Sequence, residues 1–324
     1  MHRYGLTRLL RTSATLLLVV GTTLLRVHAT SELEQHLRDQ YNGKTFVLRN
    51  FYHGDRLSYD SAGSPVTDSA VSGDWTVDGF TRVISLDLHG QSLTIQAERL
   101  SLLNNGQAFL FRQHSGKSRK NDEKEERKAE KGHGLRIDVE FDAGGGITAE
   151  KADAALSKIF LTLQDRLPEL VPDYWASCVL AAATGNKGLY SACSFPQEFS
   201  AIPGVRFRVE KDSEPEGTRT AEGKASNAGV TRIGKGTTRP TPIFTPDPHF
   251  SEQASRAKYQ GTVTLSITVD ETGLVRNIRI VGPLGMGLDQ KAVDTVSKWR
   301  FNPARRDGQP VAVEMAVEVD FHSY

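Results

Sequence analysis

From Val311 to Phe321 the chain alternates without a break. Val311, Val313, Met315, Val317, Val319 and Phe321 are apolar, while Ala312, Glu314, Ala316, Glu318 and Asp320 are small or acidic. A period of two sends successive side chains to opposite faces of a strand, so this stretch reads as a half-buried strand with one wholly apolar face. The same period recurs upstream. Val263, Leu265, Ile267 and Val269 are set against Thr262, Thr264, Ser266 and Thr268. Asp270-Glu271-Thr272-Gly273 then supplies a hairpin turn, and Val275–Val281 returns with Ile278 and Ile280 on one face.

Two segments between and before these strands follow a helical period instead. Ser251–Tyr259 reads as a short helix capped by Ser251. Leu288–Phe301 reads as a longer one, with Leu288, Ala292, Val296 and Trp299 on one stripe and Pro303 as its stop. That phase places Trp299 in the core. The order is α-β-β-α-β. An α+β fold satisfies all of these patterns together: a three-stranded antiparallel sheet whose apolar face is covered by two helices.

With 324 residues the chain has room for a second domain. Residues 31–209 read as a separate β-rich domain with one or two helices. The expected strands are Thr45–Tyr52, Trp75-Thr76-Val77, Thr81–Leu88, Gln91–Ala97, Ala108–Arg112 and Leu135–Phe141. Within Thr81–Leu88, alternation puts Ile84, Leu86 and Leu88 on one face and Val83 on the other. Glu32–Tyr41 is an expected short helix. Thr148–Leu167 is an expected long one, with Leu156, Ile159, Phe160, Leu163 and Leu167 on its stripe. Asp173–Thr184 follows as a buried segment and Phe199–Val209 as an extended piece. Residues 117–131 are charged with both signs and cannot bury an apolar face, so they form a solvated loop or an exposed helix. Residues 210–238, rich in Ser, Thr, Gly, Glu and Lys, read as a flexible linker to a domain at 239–324.

The N-terminus carries Arg3, Arg8 and Arg11, a short apolar run to Leu25, and Val27-His28-Ala29 with small residues where a signal peptidase cuts. Residues 1–29 therefore read as a signal peptide and the protein as exported. The alternative is an inner-membrane anchor through residues 12–25. An intact mass beginning at Thr30 is expected for the mature protein; retention of Met1 in a membrane fraction would establish the anchor. For an exported chain, two cysteines at short spacing, Cys178 and Cys193, suggest a disulfide. Two buried thiols are the alternative.

Chemistry-bearing motifs are sparse. Gly144-Gly145-Gly146 lacks the Lys-Ser/Thr ending of a phosphate loop, no Gly-x-Ser-x-Gly elbow occurs, and the nine histidines show no metal-ligand spacing. No catalytic residue, cofactor or metal is expected. A formal net charge of +1 and a charged run of mixed sign without aromatics give no footprint for nucleic acid.

Two motifs point to a family. Gln260-Gly261-Thr262-Val263 leads through a strand to the Gly273 turn and a second strand. Ala292 leads to Trp299-Arg300-Phe301-Asn302-Pro303 at the end of the second helix. Together they resemble the TonB C-terminal family. The resemblance covers about a quarter of the chain, with Gly261, Gly273, Trp299, Arg300, Phe301 and Pro303 as its structural motif. It implies a non-enzymatic periplasmic adaptor that captures an extended segment of a protein partner, the periplasmic stretch of an outer-membrane TonB-dependent transporter. The implied capture edge is the last strand, with Val313, Glu314, Met315, Ala316, Val317, Glu318 and Val319 along it. The family's best-known members have a Pro-rich spacer where this chain has its β-rich region. That departure leaves a generic interaction module without energy transduction as the alternative, and a homodimer as a further mode of association.

Overall fold

The computed structural model describes residues 32–66, 71–105, 109–112, 134–142, 146–184 and 236–322, with scattered positions from 192 to 234. The expected signal peptide, the charged run at 117–131 and nearly all of the expected linker lie outside the described residues.

The N-terminal half opens with α1 (32–41), β1 (Thr45–Val47) and β2 (Arg56–Tyr59), followed by a single helical turn, α2 (Trp75–Asp78). Then come β3 (Phe80–His89), β4 (Ser92–Asn104), β5 (Phe109–Arg112) and β6 (Gly134–Glu140). They form a six-stranded sheet in the order β1-β3-β4-β6-β2, with β5 pairing the far end of β4. Helix α3 (Ala149–Ile159) buries Ala152, Ala155, Leu156 and Ile159 against the sheet, and Thr148 caps it by accepting the Lys151 N–H. A 3-10 turn (Leu167–Glu169) leads into α4 (Asp173–Thr184).

Local competition moved several of these elements away from their expected forms. Trp75-Thr76-Val77 is helical because the Asp74 carboxylate accepts the Thr76 N–H and so nucleates a turn. On β3 the pairing shifts register between Val83 and Ser85. That bulge carries one extra residue and inverts the face sequence, so Val83 is buried and Ile84 is 58% exposed. The expected helix through Leu167 stops at Ile159. There the backbone is claimed by β1 and its extension: Arg49 N–H donates to Ile159 O and Leu161 N–H to Val47 O. Leu163 consequently lies outside the helix and is exposed.

The C-terminal half contains β7 (Thr241–Phe244), α5 (Glu252–Arg256), β8 (Gly261–Val269), β9 (Val275–Gly282), α6 (Leu288–Val296), β10 (Arg300–Asn302), β11 (Ala304–Arg306), β12 (Gln309–Val311) and β13 (Val313–Phe321). Strands β13-β8-β9 make a three-stranded antiparallel sheet. Val263, Leu265, Ile267 and Val269 have no exposed surface, and β13 sets Val313, Val317, Val319 and Phe321 beside them. Ser251 caps α5 as expected. Helix α6 is shorter than Leu288–Phe301: it ends at Val296, and Arg300–Asn302 pair instead with β7. Trp299 therefore sits beyond the helix, half-buried, with its indole N–H 3.4 Å from Pro246 O.

One hydrophobic core is built by both halves. It contains Trp75, Phe80, Leu102 and Trp175 from the first and Leu265, Ile280, Leu284 and Met286 from the second. Trp75 and Trp175 meet edge to face at 5.0 Å. A second core, under α1 and α3, belongs to the N-terminal sheet alone.

Candidate functional site

Strand β13 pairs with β8 from Val313 opposite Val269 to Phe321 opposite Gly261, and among the described strands no other borders it. Val313, Glu314, Met315, Ala316, Val317, Glu318 and Val319 therefore all lie on one outer strand of the C-terminal sheet. The far strand, β9, is in a different situation, because α4 packs against it. Val313, Val317 and Val319 are buried and Met315 is half-buried. On the other face Ala316 and Glu318 are exposed, and Glu314 accepts from Ser266 Oγ (2.7 Å) and from Arg279.

The glycine and aromatic motifs, far apart in sequence, touch. Gly273 has a φ of +83°, and a Cβ built on it would lie 1.8 Å from Phe301 O. The Phe301 N–H donates to Gly273 O at 3.0 Å, and Leu274 bridges Arg300. The β8–β9 turn is thus locked into the chain after α6. Phe301 is buried, while the Arg300 side chain is exposed and returns to Trp299 O at 2.7 Å. Pro303 separates β10 from β11. Gly261 lies against Leu284, 2.8 Å from its Cδ1 to a built Cβ. These residues shape the sheet and its turns.

Cys178 and Cys193 form a disulfide, with Cα atoms 5.5 Å apart, inside the joint core. Cys178 lies on α4, the helix that covers β9. For a closed loop of this length the expected contribution is about 3 kcal/mol. Urea unfolding of the Cys178→Ser/Cys193→Ser variant should show that loss, and an unchanged midpoint would mean that the bond only decorates the core.

No pattern in the sequence signals the seam between the halves. Strand β3 stops pairing with β4 at Leu100. Beyond that point the loop after β9 takes its place. Met286 N–H donates to Leu102 O (2.7 Å), Asn104 N–H to Leu284 O (2.8 Å), and Leu103 bridges Gly285. The Asn104 amide reaches Pro283 O at 2.9 Å, and Gly287 N–H donates to Thr76 Oγ1 at 2.9 Å. Asp289 holds this loop in shape, accepting the Leu284 N–H at 2.7 Å and the Gly285 N–H at 2.6 Å. Such contacts depend on backbone groups separated by more than a hundred residues, which periodicity cannot report.

Two carboxylates at this seam are raised by burial. Asp289 is pushed up to about 7, with Asp74 adding repulsion and the backbone N–H groups opposing it. Asp74 is pushed up to about 6 by burial, against its bonds from Thr76. Asp74 Oδ2 has no exposed surface and no hydrogen-bond partner among the described residues. A carboxyl whose folded pKa is raised binds more protons folded than unfolded between its ordinary 3.8 and the raised value. Its stabilising contribution is complete below that window and is lost as pH rises through about 7. Wild-type stability minus that of Asp289→Asn should therefore fall between pH 4 and pH 7. A flat difference across that range in thermal unfolding would remove Asp289 from the pH dependence.

Residues 246–323 match the family described as Gram-negative bacterial TonB protein C-terminal. Protein TonB of Xanthomonas campestris pv. campestris (strain B100) is 36% identical over 75 residues, which are 23% of this chain and 34% of that protein. Protein tonB2 of Pseudomonas aeruginosa PAO1 is 32% identical over 80 residues, 24% of this chain and 30% of that protein. This chain spans about a third of the length of the curated relatives it matches. A solution NMR structure of the Pseudomonas aeruginosa TonB CTD aligns at 18% identity and a TM-score of 0.23, covering 29% of this chain and 94% of that one. Residues 246–323, about a quarter of this chain, are thus similar to the TonB C-terminal family.

Proposed function

We propose that this protein is a non-enzymatic adaptor of the cell envelope that captures an extended segment of a protein partner by strand addition at β13, in the service of outer-membrane transport. The observation that carries the reading is the contrast between the two sides of the C-terminal sheet. Strand β9 is covered by α4, whereas β13 has a strand neighbour on one side only among the described residues. A strand with one neighbour holds alternate backbone N–H and C=O groups toward the other side, and these pair with an incoming extended chain. The family of residues 246–323 and its relatives named TonB support the choice of partner, the periplasmic segment of an outer-membrane transporter. They also support a periplasmic site of action. Among the described residues no helix is long and apolar enough to cross a membrane.

Amide hydrogen exchange tests this reading. Adding a transporter's periplasmic peptide should protect alternate amides of Val313–Phe321 and leave β9 unchanged. Protection confined to other segments would contradict it.

The seam favours a second reading. The C-terminal half is held on the N-terminal half by a shared core and backbone hydrogen bonds, as in a fixed scaffold. In that reading the same edge binds a different envelope protein and transmits no force. A transporter peptide that fails to bind while another envelope protein protects the same amides would decide for it.

A further inference from the structure

We infer that the segment captured on β13 alternates basic with apolar residues, and that Glu318 and Asp320 select it. This rests on the proposed strand addition and specifies its partner's chemistry. The basis is the charge on the polar face of the C-terminal sheet. Three acids lie there along β13: Glu314, Glu318 and Asp320. The innermost is already compensated, because Arg279 on β9 reaches across β8 to Glu314 and Ser266 also donates to it.

Among the described residues the other two have no such cation. Glu318 stands opposite Thr264 and Asp320 opposite Thr262 on β8. Thr262 Oγ1 donates to Asp320 at 2.6 Å, which satisfies one lone pair and leaves the charge. Both acids are exposed. Their inner neighbours being hydroxyls, the outer neighbour is where compensation remains to be made. A directly opposed strand would bring its same-face side chains to within about 5 Å, close enough for a cross-strand ion pair.

Ala316 strengthens the assignment. It lies between Glu314 and Glu318 on the same face and is small and exposed. The aliphatic stem of a lysine or arginine on the added strand can lie over it and carry the cation to Glu318. On the opposite face Met315 is half-buried between buried Val313 and Val317, so a β-branched or apolar side chain of the added strand would complete the core there. A second copy of this chain fits poorly. Pairing β13 with itself would set acidic faces side by side, and like charges opposite one another are destabilising.

Calorimetric titration of the protein with two synthetic peptides of nine residues, the length of β13, tests the inference. One alternates valine with lysine and the other valine with glutamate. The lysine peptide should bind about tenfold more tightly, with the advantage shrinking as salt rises toward about 1 M. Glu318→Gln/Asp320→Asn, which retains shape and the Thr262 bond, should abolish the preference, and Glu318→Lys should reverse it. Equal affinities for the two peptides would overturn the inference while leaving capture at β13 standing. A preference that survives the double variant would also overturn it, since the cation would then be read elsewhere. Failure of both peptides to bind folded protein would count against the capture edge itself. Peptide affinity that falls as protein concentration rises, with a dimer in sedimentation, would assign the edge to a second copy and overturn the inference.

Discussion

Gly285→Ala should cost about 2–4 kcal/mol and unseat the C-terminal half from the N-terminal sheet. Gly285 has a φ of +90°, a region an alanine enters only at a cost. Its position is the second difficulty. A Cβ there would lie 2.4 Å from Leu102 O and 2.7 Å from Leu103 Cα, both on the backbone of β4. Backbone cannot swing aside as a long side chain can, so the loop must retreat. It would take with it the Met286 bond to Leu102 and the Leu284 bond to Asn104. Gly308→Ala is the control, since it has a similar φ of +80° but nothing within 4 Å of the added Cβ. It should cost about 1 kcal/mol. In urea unfolding Gly285→Ala should broaden or split the transition as the halves uncouple, whereas Gly308→Ala should only shift it slightly. Equal small shifts for the two would mean that the loop does not bear on β4 as described.

The C-terminal sheet was legible because one constraint dominated each strand. Val263, Leu265, Ile267 and Val269 had to face one way, and they do. The turn at Gly273 and the cap at Ser251 are local chemistry, written in a few neighbouring residues. Alternation failed where it met a long-range competitor. Phe301 looked helical by spacing, but the carbonyl of Gly273 took its N–H and strand β7 took its neighbours. Alternation put Ile84 on one face with Leu86 and Leu88, and a bulge turned its side chain outward instead. Trp75 is rich in β propensity, and the cap at Asp74 overrode it.

The candidate edge was readable only in part. The pattern of Val311–Phe321 fixed which side chains face the core, and the family resemblance supplied the idea that this strand lies outermost. No local pattern could tell that α4 would cover β9, because that packing joins segments remote in sequence and is anchored by a disulfide within the shared core. Asp289 was invisible for the same reason: on a helix with a polar face it resembles any solvated acid, yet it is fully buried against its own loop.

Proline substitution along β13 should separate binding from stability. Neighbouring residues of a strand direct their N–H groups to opposite sides, so Met315 and Ala316 differ: one donates toward β8 and the other away from it. Proline removes the N–H and fixes φ. At the inward position it breaks the ladder and should cost about 3 kcal/mol or more. At the outward position it leaves the ladder to β8 intact and should cost about 1 kcal/mol, while removing a donor that an added strand needs. The decisive measurement is the affinity of Met315→Pro and Ala316→Pro for an extended peptide from a transporter's periplasmic segment, taken together with the thermal midpoint of each variant. Strand capture predicts that one of the two loses binding by about tenfold or more while its midpoint stays near wild type. If binding and stability fall together in both variants, or if the stable variant binds as well as wild type, β13 is not the edge on which the partner is held.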